Sequence, residues 1–270
     1  MRPTLFPSCA ALVLLSGFGV SIMAEPPPKD GDSSSSQGDE HATDAIREAP
    51  RFRQAVLYKP KEEELPESLR PFAPLFVREV SQDAAAGASR FSAYFRSDTV
   101  SIQGKDYDRV TIAWCKPGPC TCFLPCAVRI IVGSDGFPIV WEALPSDSDS
   151  PVLYISESFE KKAADRFGPP LSGRRFSAER AVSETPRVMV ADVLPDGPVP
   201  MGPYIYLSAP PDHEIATLLC RCSPSRVEEF TATAYYESVV LGERLQPAPS
   251  PVPSLLEFRA DLAQLLRWPE

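Results

Sequence analysis

The chain has 270 residues, 27 Lys and Arg against 36 Asp and Glu, a formal net charge of −9, 31 prolines and two histidines. That balance supplies no basic surface for nucleic acid or an anionic membrane, and the length allows one substantial domain with appended tails. The sequence contains no Asn, so it has neither an N-glycosylation acceptor nor an Asn-Gly hairpin turn.

Arg2 followed by an uncharged apolar run ending at Ala24 reads as a secretory signal peptide over residues 1–24. Gly17, Gly19 and several small polar residues make the run too short and too broken for a membrane anchor. The expected destination is periplasmic or extracellular, with no membrane span after cleavage. Residues 25–50 carry Pro26 to Pro28, Ser33 to Ser36 and seven acids against Lys29 and Arg47. With almost no large apolar residue to bury, this segment is expected to be a disordered acidic tether.

Residues 51–245 are expected to form a single globular, sheet-rich domain. Pro60, Pro66, Pro71 and Pro74 break any long helix early on, and Leu75-Phe76-Val77 is the piece expected to reach the core. Alternation over Arg109–Trp114 places Val110, Ile112 and Trp114 on one face. Ala127–Val132, Ile139–Leu144 after the Gly133-Ser-Asp-Gly136 turn, and Val152–Ile155 read as further strands of the same meander. Ser156 or Ser158 can cap a helix near 157–167, which Gly168 and Pro169-Pro170 stop. Arg187–Leu194, Tyr204–Leu207 and Ile215–Cys220 are strand candidates, while Phe230–Leu241 suits strand or helix.

Residues 246–270 begin with a proline-rich spacer. Ser254-Leu-Leu-Glu257 then forms a capping box opening an amphipathic helix with Leu255, Phe258, Leu262, Leu265 and Leu266 on one face. The expected class is therefore α+β: a mostly antiparallel sheet with a meander around 90–155, further strands over 187–241, one helix near 157–167 and a C-terminal amphipathic helix.

Apart from Cys9 in the leader, six cysteines remain: Cys115, Cys120, Cys122 and Cys126, then Cys220 and Cys222. An even number in an exported chain suits disulfides. Cys115 and Cys126 flank two expected antiparallel strands and could staple that hairpin. In extended backbone each Cys-x-Cys unit presents both sulfurs on one face, so the remaining four are expected to pair between the two units. The alternative reading makes Cys120, Cys122, Cys220 and Cys222 a tetrathiolate site for zinc or an iron-sulfur cluster, or a thiol-redox pair. The Cys-x-x-Cys spacing usual for zinc is absent.

Other chemistry is sparse. His41 falls in the tether and His213 in a Pro-rich loop; Cys220 with His213 would need a free thiolate. Asp147 and Asp149 could offer oxygens to calcium but read more simply as a turn. Arg174-Arg175 could hold an anion, and Tyr204, Tyr206, Tyr235, Tyr236 and Trp141 could line a sugar or peptide groove. No Gly-x-Ser-x-Gly elbow, His-Glu-x-x-His or phosphate loop is present. The sequence therefore reads as an exported, non-catalytic structural or binding module braced by disulfides. It needs no cofactor, and its partner would be an unknown protein or small ligand.

Overall fold

The computed structural model describes residues 51–80, 92–114, 126–144, 152–181, 189–197, 201–209, 215–241 and 262–269. The expected signal peptide and tether lie outside them. The strands are β1 (Phe52–Pro60), β2 (Leu75–Glu79), β3 (Ser92–Ile102), β4 (Lys105–Trp114), β5 (Cys126–Val132), β6 (Pro138–Leu144) and β7 (Val152–Ser156). Helix α1 (Glu157–Phe167) follows, then β8 (Met189–Leu194), β9 (Tyr204–Leu207), β10 (Ile215–Leu219), β11 (Val227–Val240) and the short α2 (Leu262–Leu265).

All eleven strands join one sheet in the order β10-β9-β2-β1-β11-β3-β4-β5-β6-β7-β8. The sheet nearly closes into a barrel. Tyr154 on β7 spans the gap: its hydroxyl accepts a hydrogen bond from the Leu218 N–H of β10 at 3.2 Å and lies 3.4 Å from Thr217 Oγ1. This overturns the expected α+β class and the meander with its C-terminal amphipathic helix. The molecule is mostly β, and its one sheet is mixed. β11 runs parallel to both β1 and β3, and the β2–β9 and β7–β8 pairs are parallel too. Alternation identifies strands but not their neighbours, and the strand that completes the middle of the sheet comes last in sequence.

The strand pattern follows the chemistry of the side chains. Alternate residues of β3 to β7, with Phe76 and Tyr236, fill the interior, where Phe76 packs edge-on against Trp114 and Tyr236 with ring centroids 5.0 and 5.2 Å apart. The β3–β4 hairpin turns at Gln103 and Gly104, whose φ angles of 53° and 83° select the left-handed region. On the outer face a second cluster gathers Ile131, Val140, Leu153 and Ile155 under Phe159 and Ala163 of α1. The Ser156 hydroxyl accepts from Phe159 N to cap that helix at 3.1 Å, and Gly168 ends it.

The C-terminal segment departs from its sequence pattern. Only Leu262–Leu265 is helical among the described residues, and Leu255 and Phe258 lie outside them. Tertiary pairing competes with the helix here: Leu266 bridges to Glu179, and Arg267 N donates to the Ala178 carbonyl at 2.7 Å. Trp268 is then wedged between Tyr107 and Phe159, its indole Nε1 donating to the Tyr107 hydroxyl at 3.0 Å.

Candidate functional site

A trough of about 530 Å³, open to solvent, lies beside the end of β1. Lys59, Pro60, Lys61, Glu62, Glu63, Leu75, Arg221 and Tyr235 line it. Strand register explains the grouping. Tyr235 on β11 sits opposite Lys59 on β1, and the one-turn helical segment Glu62–Glu64 supplies the acidic rim, with Glu64 accepting from Ser238 N of β11 at 2.9 Å. Behind Arg221 lies a second, more enclosed space of only about 20 Å³, lined by Trp141, Leu194, Met201, Pro203 and Cys220 among others. The Arg221 side chain is a wall of both.

The turn after β10 positions this arginine. Ser223 N donates to the Cys220 carbonyl at 3.0 Å, closing the turn that presents Arg221 inward. The guanidinium Nη2 donates to the Ala73 carbonyl. Gly202 packs closely beside that carbonyl: its N–H donates to the Pro71 carbonyl at 2.8 Å, and a Cβ there would run into the Phe72 and Ala73 carbonyls. The Arg221 Nε is buried without a hydrogen-bond partner, as is the Trp141 Nε1 of the adjoining space. Among the described residues no carboxylate lies within ion-pairing distance of Arg221. Burial pulls its guanidinium pKa down from the ordinary value.

A second polar feature lies on the outer face of the sheet. Thr111, Arg129 and Glu142 sit directly opposite one another across β4, β5 and β6. Arg129 and Glu142 are 1% and 2% exposed and meet at 2.6 Å. In the neighbouring row Arg109 holds Asp98 through two hydrogen bonds of 2.7 and 2.8 Å. Every charge of these two pairs has an opposite charge in contact, which suits a structural role.

The cysteines do not sit as expected. Cys220 and Cys222 are bonded to each other, with Cα atoms 5.1 Å apart. This corrects the expectation that the two Cys-x-Cys units pair between themselves. The expectation assumed extended backbone, in which residues i and i+2 stand about 6.6 Å apart, whereas a tight turn draws the two sulfurs within bonding reach. Bonded in this way, Cys220 and Cys222 have no thiolates to give the alternative metal site, and no cluster of metal ligands occurs among the described residues. Cys126 is buried at the start of β5 opposite Trp114. Cys115, Cys120 and Cys122 lie outside the described residues, as do His41, Asp147, Asp149 and His213.

The arginine pair and the aromatic set are also dispersed. Arg174 Nε donates to the Arg180 carbonyl at 2.6 Å, and Arg175 Nη1 donates to the Ala191 carbonyl at 3.3 Å while stacking over Phe176. Both are tied into the fold rather than aimed at a ligand. Tyr206, Tyr236 and Trp141 are buried, Tyr204 packs against Tyr206, and only Tyr235 is open, at 62% exposure. Arg221 carries the site and is missed by motif reasoning. Its one signal is its place between the two cysteines of Cys220-Arg221-Cys222, where a turn would force it inward.

Among the described residues no helix is long and apolar enough to cross a membrane. Compared with known proteins, the chain matches no family model, no curated protein and no solved structure.

Proposed function

We propose that this chain is an exported, non-catalytic binding module whose ligand site is the trough walled by Arg221. One observation carries the reading: a partly buried guanidinium with no carboxylate within ion-pairing distance among the described residues lines a cavity of ligand size. An uncompensated buried charge costs several kcal/mol, so a chain retains one most readily where a ligand supplies the missing charge. A volume of about 530 Å³ falls within the range of small-molecule sites. The Cys220–Cys222 bond braces the turn that carries Arg221.

Thermal melts of the mature chain against millimolar carboxylates, amines and neutral sugars test the proposal. A ligand held only by the folded state raises Tm in step with its concentration, and Tyr235→Ala should weaken that response. A panel without any response would overturn the binding role. So would a hydrolase or oxidoreductase turnover abolished by a single substitution of His213 or Cys220. Export is tested by expressing the chain with its leader in a secreting host: the expected product has lost about the first 24 residues.

A further inference from the structure

We infer that the ligand of the trough is a carboxylate carried on a compact apolar group, held by an ion pair with the Arg221 guanidinium. This rests on the binding role proposed above and names its chemistry.

Four observations support it. Among the described residues Arg221 has one hydrogen bond, from Nη2 to the Ala73 carbonyl, and its Nε has none. A guanidinium offers five donors in a planar fork that matches the two oxygens of a carboxylate. The trough offers apolar wall for a hydrocarbon body in Pro60, Leu75 and the exposed Tyr235 ring. The rim limits the charge. Lys61 is held by Glu64 at 3.0 Å, and Glu62 and Glu63 also line the trough, so any anion meets repulsion there and a dianion meets more of it than a single carboxylate. Lys59 and Lys61 line the space beside Arg221.

Such a carboxylate could belong to a free organic acid or to the C-terminus of a peptide. Isothermal titration of the full mature chain distinguishes them, using 3-phenylpropionate, 3-phenylpropanamide, phenylphosphonate, and acetyl-Gly-Gly-Phe as its acid and its amide. The expected result is that each acid binds at least tenfold more tightly than its own amide and more tightly than phenylphosphonate. Arg221→Leu should bring the acids down to the level of the amides. Tighter binding by the peptide acid assigns the site to a chain terminus, and tighter binding by 3-phenylpropionate assigns it to a free acid. The comparison of acid with amide uses the unsubstituted chain, so it decides the matter even where Arg221→Leu fails to fold. Equal binding of acid and amide, or a preference for phenylphosphonate, overturns the carboxylate while leaving the binding role standing. Silence from these probes and from the wider panel of sugars and amines overturns both.

Discussion

Arg129 is buried and Arg221 partly buried, and the chain answers their charges differently. Arg129 meets the Glu142 carboxylate at 2.6 Å across two neighbouring strands. Arg221 is given one backbone carbonyl and a cavity. The first arrangement closes its electrostatics within the sheet. The second leaves a cation beside a space that something else can fill. Burial alone therefore does not mark a functional arginine; what the fold supplies as a counter-charge does.

Making the first arginine resemble the second should have the largest effect. Glu142→Ala strands the Arg129 charge in the protein and should cost about 3–5 kcal/mol in urea unfolding. Disturbing the floor beneath Arg221 comes next. Gly202→Ala drives a methyl group into the Phe72 and Ala73 carbonyls, an overpacking expected to cost about 2–3 kcal/mol.

Removing the brace around Arg221 should matter less. A disulfide of sequence separation 2 closes a very small loop, so Cys220→Ser with Cys222→Ser should lose about 1.5 kcal/mol or less of stability. Arg221→Met should move the other way and gain about 1 kcal/mol, because a group kept for binding is commonly a burden on the fold. A loss of stability in that variant would make Arg221 structural, like Arg129.

The subtlest difference lies in pH dependence. Burial pushes the Glu142 carboxyl up from its ordinary value, while Arg129 and Arg109 pull it down. The ordinary glutamate value is about 4.3. Between that and the raised value the folded chain holds a proton that the unfolded chain has released. This contribution to stability is therefore complete in more acid solution and is lost as pH rises through the raised value. Glu142→Gln should flatten that part of a plot of Tm against pH.

The sequence carries the local parts of this molecule more clearly than the distant ones. Arg109–Trp114 and Ile139–Leu144 show their alternation, and the Ser156 cap and Gly168 stop bracket α1 within the chain itself. Partners across the sheet are another matter. Nothing in Phe52–Pro60 or Val227–Val240 specifies that these strands run side by side in parallel, since that depends on which neighbouring edges are left open. The site suffers from the same limit. Its walls come from β1, β2, β11 and the turn after β10, segments far apart in sequence. The Cys-x-Cys pair is plain to read, but whether its backbone is extended or turned depends on how β10 ends.

The central position of β11 also governs the route to the native state. Gln54 of β1 and Glu229 of β11 are hydrogen-bonded across a separation of 175 residues, so β1 and β3 each keep a bare edge until nearly all of the polypeptide is present. Pairing at such long range is slow to form and exposes strand edges meanwhile. A chain ending before Val227 should therefore leave the sheet open in its middle and tend to aggregate. On the exported reading, the same delay holds the polypeptide in a threadable state until its last strand has crossed the membrane.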